Sequence, residues 1–144
     1  MDTVRLGVVG LGWFGGVLAD SARSSGAAEV VSCYARTEET RNAFAAQHGC
    51  RAVADLDEML ADPEVDGVLV VTPHSTHTDL AVRAAGAGKH VFVEKPLALT
   101  VAETRRVEEA SAAGGVVVQV GHNRRRQPAN RRIKAMIDAG ELGT

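Results

Sequence analysis

The sequence predicts a doubly wound α/β fold built on a parallel sheet. Three observations carry that expectation. Short β-branched runs alternate with Ala-rich helical stretches along the whole chain. The runs are continuously apolar, and glycine or proline follows each of the five helical stretches that separate the strands. Such strands need both sheet faces covered by helices, which is the condition for parallel pairing. At 144 residues the chain fits one domain of this kind and can bury a sizeable core.

The first strand, Val4–Val9, breaks into Gly10-Leu11-Gly12-Trp13-Phe14-Gly15, with the spacing G-x-G-x-x-G. Gly10 allows the tight turn out of the strand, and Gly12 removes a side chain where a pyrophosphate approaches the backbone. Gly15 lets the helix Phe14–Ser24 pack closely on the strand, with its free N–H groups and positive dipole end toward the phosphates. Strands follow at Glu29–Tyr34, Arg51–Val53, Gly67–Val71, His90–Glu94 and Val116–Val120. Helices are expected at Glu38–Gln47, Leu56–Leu60, His77–Ala87 and Val101–Ala113, with a further one at Pro128–Ala139. The breakers are Gly26, Gly49, Pro63, Gly86-Ala87-Gly88 and Gly114-Gly115.

Composition excludes several classes. A net charge of −2 gives no global signal for nucleic acid, and no apolar run approaches the ~20 residues of a membrane span. Met1-Asp2-Thr3-Val4 lacks the features of a signal peptide. Cys33 and Cys50 show no metal-ligand spacing, and Cys33 in its apolar strand reads as a small buried thiol, so no metal and a reduced cytoplasmic setting are expected.

In an open parallel sheet, ligands bind outside the carboxyl ends of the strands. Five segments of unusual residues fall there: the glycines, Ala35-Arg36-Thr37, Thr72-Pro73-His74-Ser75-Thr76-His77, Glu94-Lys95-Pro96 and Gly121-His122-Asn123-Arg124. An NAD site places a carboxylate about 20 residues beyond the glycines, on the ribose 2′-OH. Ala35 stands in that place, and Arg36 offers a guanidinium suited to a 2′-phosphate, with the Thr37 hydroxyl beside it. NADP(H) is therefore expected over NAD(H), against the plainer reading of Arg36 as a solvated loop residue.

Lys95 at a strand end could stabilise negative charge on a substrate oxygen, or could simply be a surface lysine paired with Glu94. Pro96 would fix the turn, in a cis or trans bond. His74, His77 and His122 read first as polar loop or helix-start residues, with Thr72, Pro73, His74 and His77 placed to contact a cofactor. Ser75 or Thr76 could cap the helix that begins near His77. Arg124-Arg125-Arg126, Arg131, Arg132 and Lys134 lack an aromatic platform, so a solvated face or an inter-domain contact is preferred to nucleic acid. Asn123 and Arg124, nearest the strand end, are placed near ligand.

The ordered motifs resemble the Gfo/Idh/MocA family, the glucose–fructose oxidoreductase and inositol dehydrogenase-like enzymes. The resemblance rests on Gly10–Gly15, Val70–His77, Gly88–Ala98, Val120–Arg125 and Gly140–Gly143, and covers the whole chain. It implies a Rossmann domain, here 1–122, followed by a connecting helix and the start of a crossing, here 123–144. A larger α/β domain with an open antiparallel sheet would come next, and it is absent from this chain. Family members exchange hydride with a sugar, cyclitol or related alcohol or carbonyl. Lys95 matches the lysine of their Glu-Lys-Pro motif, which helps position the reacting oxygen. The second domain supplies an Asp and a His and assembles a homo-oligomer. The isolated 144 residues are thus expected to bind dinucleotide and turn over poorly. The alternatives are a free-standing dinucleotide-binding or redox-sensing module, which leaves Lys95 without a purpose, and S-adenosylmethionine-dependent methyl transfer, which leaves Glu94-Lys95-Pro96 unexplained.

Overall fold

The computed structural model describes residues 3–143, so Met1, Asp2 and Thr144 at the outer ends of the two expected segments lie outside the described residues. In chain order the elements are β1 (Val4–Val9), α1 (Trp13–Ser25), β2 (Ala28–Tyr34), α2 (Glu38–His48), β3 (Arg51–Val53) and α3 (Leu56–Ala61). There follow β4 (Gly67–Val70), α4 (His77–Gly86), β5 (His90–Val93), α5 (Val101–Gly114), β6 (Val118–Val120) and α6 (Pro128–Asp138). Short 3-10 turns occupy His74–Thr76 and Asn123–Arg126. Each expected strand and helix is present, with no boundary moved by more than two residues. The start of β6 moves from Val116 to Val118 because the two preceding amides bond elsewhere. Val116 N–H donates to Ser111 O at 3.1 Å and Val117 N–H to His90 Nδ1 at 3.0 Å.

All six strands run parallel in the order β3-β2-β1-β4-β5-β6. Alternation along each strand divides the core into two layers. Val9, Val68, Val70, Val91 and Val93 pack with Met59, Ala81, Ala84 and Val107 beneath α3, α4 and α5. Val8, Cys33 and Leu69 face the other way, onto Ala19 of α1 and Phe44 of α2. Each fully buried valine contributes about 1.5–3 kcal/mol, so the aliphatic strands compensate for an aromatic content of 3%.

At the amino ends of the strands, polar groups stitch the sheet together. Arg5 meets Asp66, just before β4, through its backbone N–H (2.8 Å) and its guanidinium Nη2 (2.8 Å). The Arg5 hydrogen bonds hold the Asp66 carboxyl well below the usual range, at about 2. Lys89 Nζ donates to the carbonyls of Asp62 and Val65 at 2.7 and 2.8 Å. The opposite rim is left to the loops that carry the distinctive residues.

Candidate dinucleotide-binding site

The glycine turn has the geometry that its spacing requires. Gly10 takes φ +97°, and a Cβ there would lie 2.4 Å from Val71 O. A Cβ on Gly15 would meet Gly10 O at 2.4 Å, so α1 can sit this close to β1 only without a side chain. Gly12 is different: a Cβ there would meet nothing within 4 Å. It faces open space at the N-terminus of α1, where no acidic residue competes in the first turn. The first-turn amides of α1 are therefore available to an anion. Trp13 and Phe14 flank this point, their rings tilted and 5.7 Å apart between centroids, with Trp13 82% exposed.

A cleft of about 370 Å³ opens beside the turn, lined by Val9, Gly10, Tyr34, Ala35, Arg36, Leu56, Thr72, Pro73, Thr76, Leu80 and Arg83. Ala35 sits at the tip of β2 and Arg36 is exposed, without a carboxylate partner among the described residues. Thr37 is the N-cap of α2, but its hydroxyl makes no capping bond. Tyr34, Leu56, Leu80 and Arg83 are wall residues that the motifs did not reveal. Leu56 opens α3, and Leu80 and Arg83 share one face of α4 at a three-residue spacing, so helical periodicity was their signal.

The segment after β4 corrects two expectations. Thr76 stands at the N-cap of α4, but neither its hydroxyl nor that of Ser75 makes a capping bond. Thr76 Oγ1 instead donates to Pro73 O at 2.7 Å and lies 2.6 Å from Thr72 Oγ1, closing the turn on itself. His77, expected on the cofactor, is fully buried behind the rim. Its Nδ1 lies 2.7 Å from Pro96 O and its Nε2 2.8 Å from Thr72 O, so the ring bridges the loops after β4 and β5. His74 remains exposed on the rim side of that bridge.

Beyond it, the Lys95–Pro96 peptide is cis. Glu94 is not the partner of the Lys95 ammonium. Its Oε2 accepts the Lys95 backbone N–H at 3.2 Å, and its Oε1 occupies the space that a Cβ on Gly121 would need, 2.5 Å away. Lys95 is exposed and has no ion-pair partner among the described residues. Asn123 and Arg124 lie in the 3-10 turn past β6, both exposed. Arg124 lines a basic hollow with Arg125, Arg131 and Lys134 of the α6 side; like Lys95, Pro96 and Asn123, it does not line the cleft itself. The helix α6 itself leaves Ile133 and Ile137 about half exposed.

Residues 4–122 match the profile of the Gfo/Idh/MocA oxidoreductase family, described as an NAD-binding Rossmann fold. The chain belongs to this family. Scyllo-inositol 2-dehydrogenase (NAD(+)) of Bacillus subtilis is 49% identical over 86 residues, which are 60% of this chain and 25% of that protein. The WlbA dehydrogenase of Bordetella pertussis, solved with NADH and UDP-GlcNAcA, is 30% identical with a TM-score of 0.92, over 99% of this chain and 44% of that one. The 3-ketoreductase KijD10 of Actinomadura kijaniata, solved with NADP and TDP-benzene, has a TM-score of 0.91 at 25% identity, covering 96% of this chain and 43% of that one. The chain thus spans less than half the length of these relatives, and they include both NADH and NADP complexes. No helix among the described residues is long and apolar enough to cross a membrane.

Proposed function

We propose that this chain is the NADP(H)-binding part of an oxidoreductase acting on a CH–OH group or the corresponding carbonyl of a sugar, cyclitol or related small molecule. The observation that carries the cofactor preference is the carboxylate-free tip of β2. Ala35 and the exposed Arg36 line the same cleft as Gly10, where a 2′-hydroxyl would need an acceptor and a 2′-phosphate needs a cation. The protein fits the dinucleotide on steric grounds as well. Gly10 and Gly15 bring the turn close to its neighbours, and the space over Gly12 is free.

When bound, NADP(H) supplies or accepts a hydride at its nicotinamide ring. The first-turn amides of α1 hold the pyrophosphate, and Thr72, Pro73 and His74 border the ribose path. Lys95 donates a hydrogen bond to the reacting oxygen and offsets negative charge developing on it. Glu94 fixes the turn through the Lys95 amide, and His77 holds the same turn to the loop after β4. The remaining acid/base and substrate groups are assigned to a second domain, together with assembly of a homo-oligomer, and residues 123–144 to the approach to it.

Titration with NADPH and NADH tests the preference. The expected result is tighter NADPH binding in the natural sequence, with Arg36→Ala losing roughly 10–100-fold of it and little NADH affinity. Equal loss for both cofactors, or none, would refute the assignment.

A further inference from the structure

The side chain of Arg41, on the first turn of α2, does not reach into the cleft. It lies beneath the Ala35-Arg36-Thr37 loop, 14% exposed, with Nη2 3.8 Å from the exposed carboxylate of Glu38. Its Nη1 lies 3.5 Å from both the Ala35 and the Arg36 carbonyl oxygens, as a donor shared between them. The Arg41 backbone is anchored in turn, since its carbonyl accepts the buried Cys33 thiol at 3.5 Å and its N–H donates to Thr37 O at 3.2 Å.

A trans peptide points its C=O and N–H in opposite directions. The Ala35 carbonyl shares its peptide with the Arg36 N–H, and the Arg36 carbonyl shares its peptide with the Thr37 N–H. Both peptides are trans. With both carbonyls drawn toward Arg41, both amides face away from it, and neither has a hydrogen-bond partner among the described residues. Two successive free amides on one side of a bend offer two donors to a single anion, and the same loop carries the exposed Arg36 guanidinium. A phosphomonoester offers oxygens to all three groups. A ribose hydroxyl offers one oxygen and brings a proton that finds no carboxylate.

We propose that Arg41 sets the nucleotide preference from behind the loop, by turning the Arg36 and Thr37 amides outward as a receptor for the 2′-phosphate. This rests on the NADP(H) reading above and adds a positioning residue to it. Arg41 touches no cofactor atom. It acts through the peptides it orients.

The test compares NADPH and NADH affinity in the natural sequence, Arg36→Ala, Arg41→Met and Arg41→Lys, with circular dichroism confirming the fold. Arg41→Met keeps the bulk of the side chain and removes its donors and charge. It is expected to weaken NADPH about tenfold while NADH changes less than about twofold. Arg41→Lys, which keeps the charge and reaches one carbonyl, is expected to recover part of the loss, and it carries the test if Arg41→Met does not fold. If Arg36→Ala abolishes the preference but both Arg41 variants keep it, the role of Arg41 is overturned and the NADP(H) reading stands. An equal loss for both cofactors at Arg41 marks a merely structural residue and also overturns the proposal. No NADPH preference in the natural sequence overturns both.

Discussion

Replacing Gly12 and Gly15 by alanine, one at a time, should separate ligand binding from folding within a single turn. We predict that Gly12→Ala leaves stability within about 0.5 kcal/mol of the natural protein. Gly12 has φ −78° and ψ −175°, open to any residue, and no neighbour within 4 Å of a new Cβ. Alanine is the poorer N-cap by about 0.5–1 kcal/mol, and it offsets this by narrowing the unfolded chain's freedom, a gain of about 0.4–1 kcal/mol. Its methyl group does occupy the space assigned to the pyrophosphate, so dinucleotide affinity should fall at least about tenfold. Gly15→Ala reverses the pattern. Its Cβ would start 2.4 Å from Gly10 O, and real Cβ contacts stay above 3.0 Å, so α1 must lift off the turn. Overpacking against rigid backbone costs up to about 3 kcal/mol, and the gain in helix propensity offsets about 1. The net loss of about 2 kcal/mol corresponds to a drop of roughly 8 °C in Tm. Thermal melts and NADPH titration of the two variants provide the assay, with energy transfer from Trp13, the sole tryptophan, as the optical signal. Full NADPH affinity in Gly12→Ala would refute the pyrophosphate assignment, and an unchanged Tm in Gly15→Ala would refute the steric one.

Two further predictions concern the frame around the site. His77→Ala removes a buried ring that bridges Thr72 O and Pro96 O, and is expected to cost about 2–4 kcal/mol in a urea melt; a loss under about 0.5 kcal/mol would contradict the bridging role. The Asp66 carboxyl is lowered to about 2 by the Arg5 hydrogen bonds, so its stabilisation is present above the unfolded value near 4 and is lost as pH falls toward 2. Because the side chain is 37% exposed, the effect should stay under about 1 kcal/mol. Tm should therefore decline less between pH 4 and 2 in Asp66→Asn than in the natural protein; parallel declines would exclude this pair as the cause.

Much of this arrangement was legible in the residues themselves. Apolar runs between helical stretches located the sheet, and the glycine spacing located the turn between β1 and α1. Each local pattern agreed with the global fold, which is why it could be read. Other features depend on contacts across the chain. Nothing near His77 in sequence marks Pro96, nineteen residues on, as its partner. Glu94 and Lys95 look like an ion pair as neighbours, yet Gly121 provides the space into which the carboxylate turns. Arg41 reads as one charge on a polar helix, and only the fold brings it beneath the Ala35 and Arg36 carbonyls. Arg124 follows a strand as a rim residue should, but the 3-10 turn carries it to the α6 side.

The strand order has a consequence for which molecules can bridge the site. Ala35 lies beyond β2 and Lys95 beyond β5, with β1 and β4 between them. Three strand spacings of about 4.8 Å separate the two ends by roughly 14 Å along the rim. The sheet thereby acts as a ruler. A mononucleotide held at the β2 end falls short of Lys95, whereas two nucleosides joined through a pyrophosphate over Gly12 can reach both ends. On the proposed function, the reach of a dinucleotide is matched by backbone spacing that no single side-chain substitution alters, while the choice between NADP(H) and NAD(H) would fall to the Ala35-Arg36-Thr37 loop and to Arg41 beneath it.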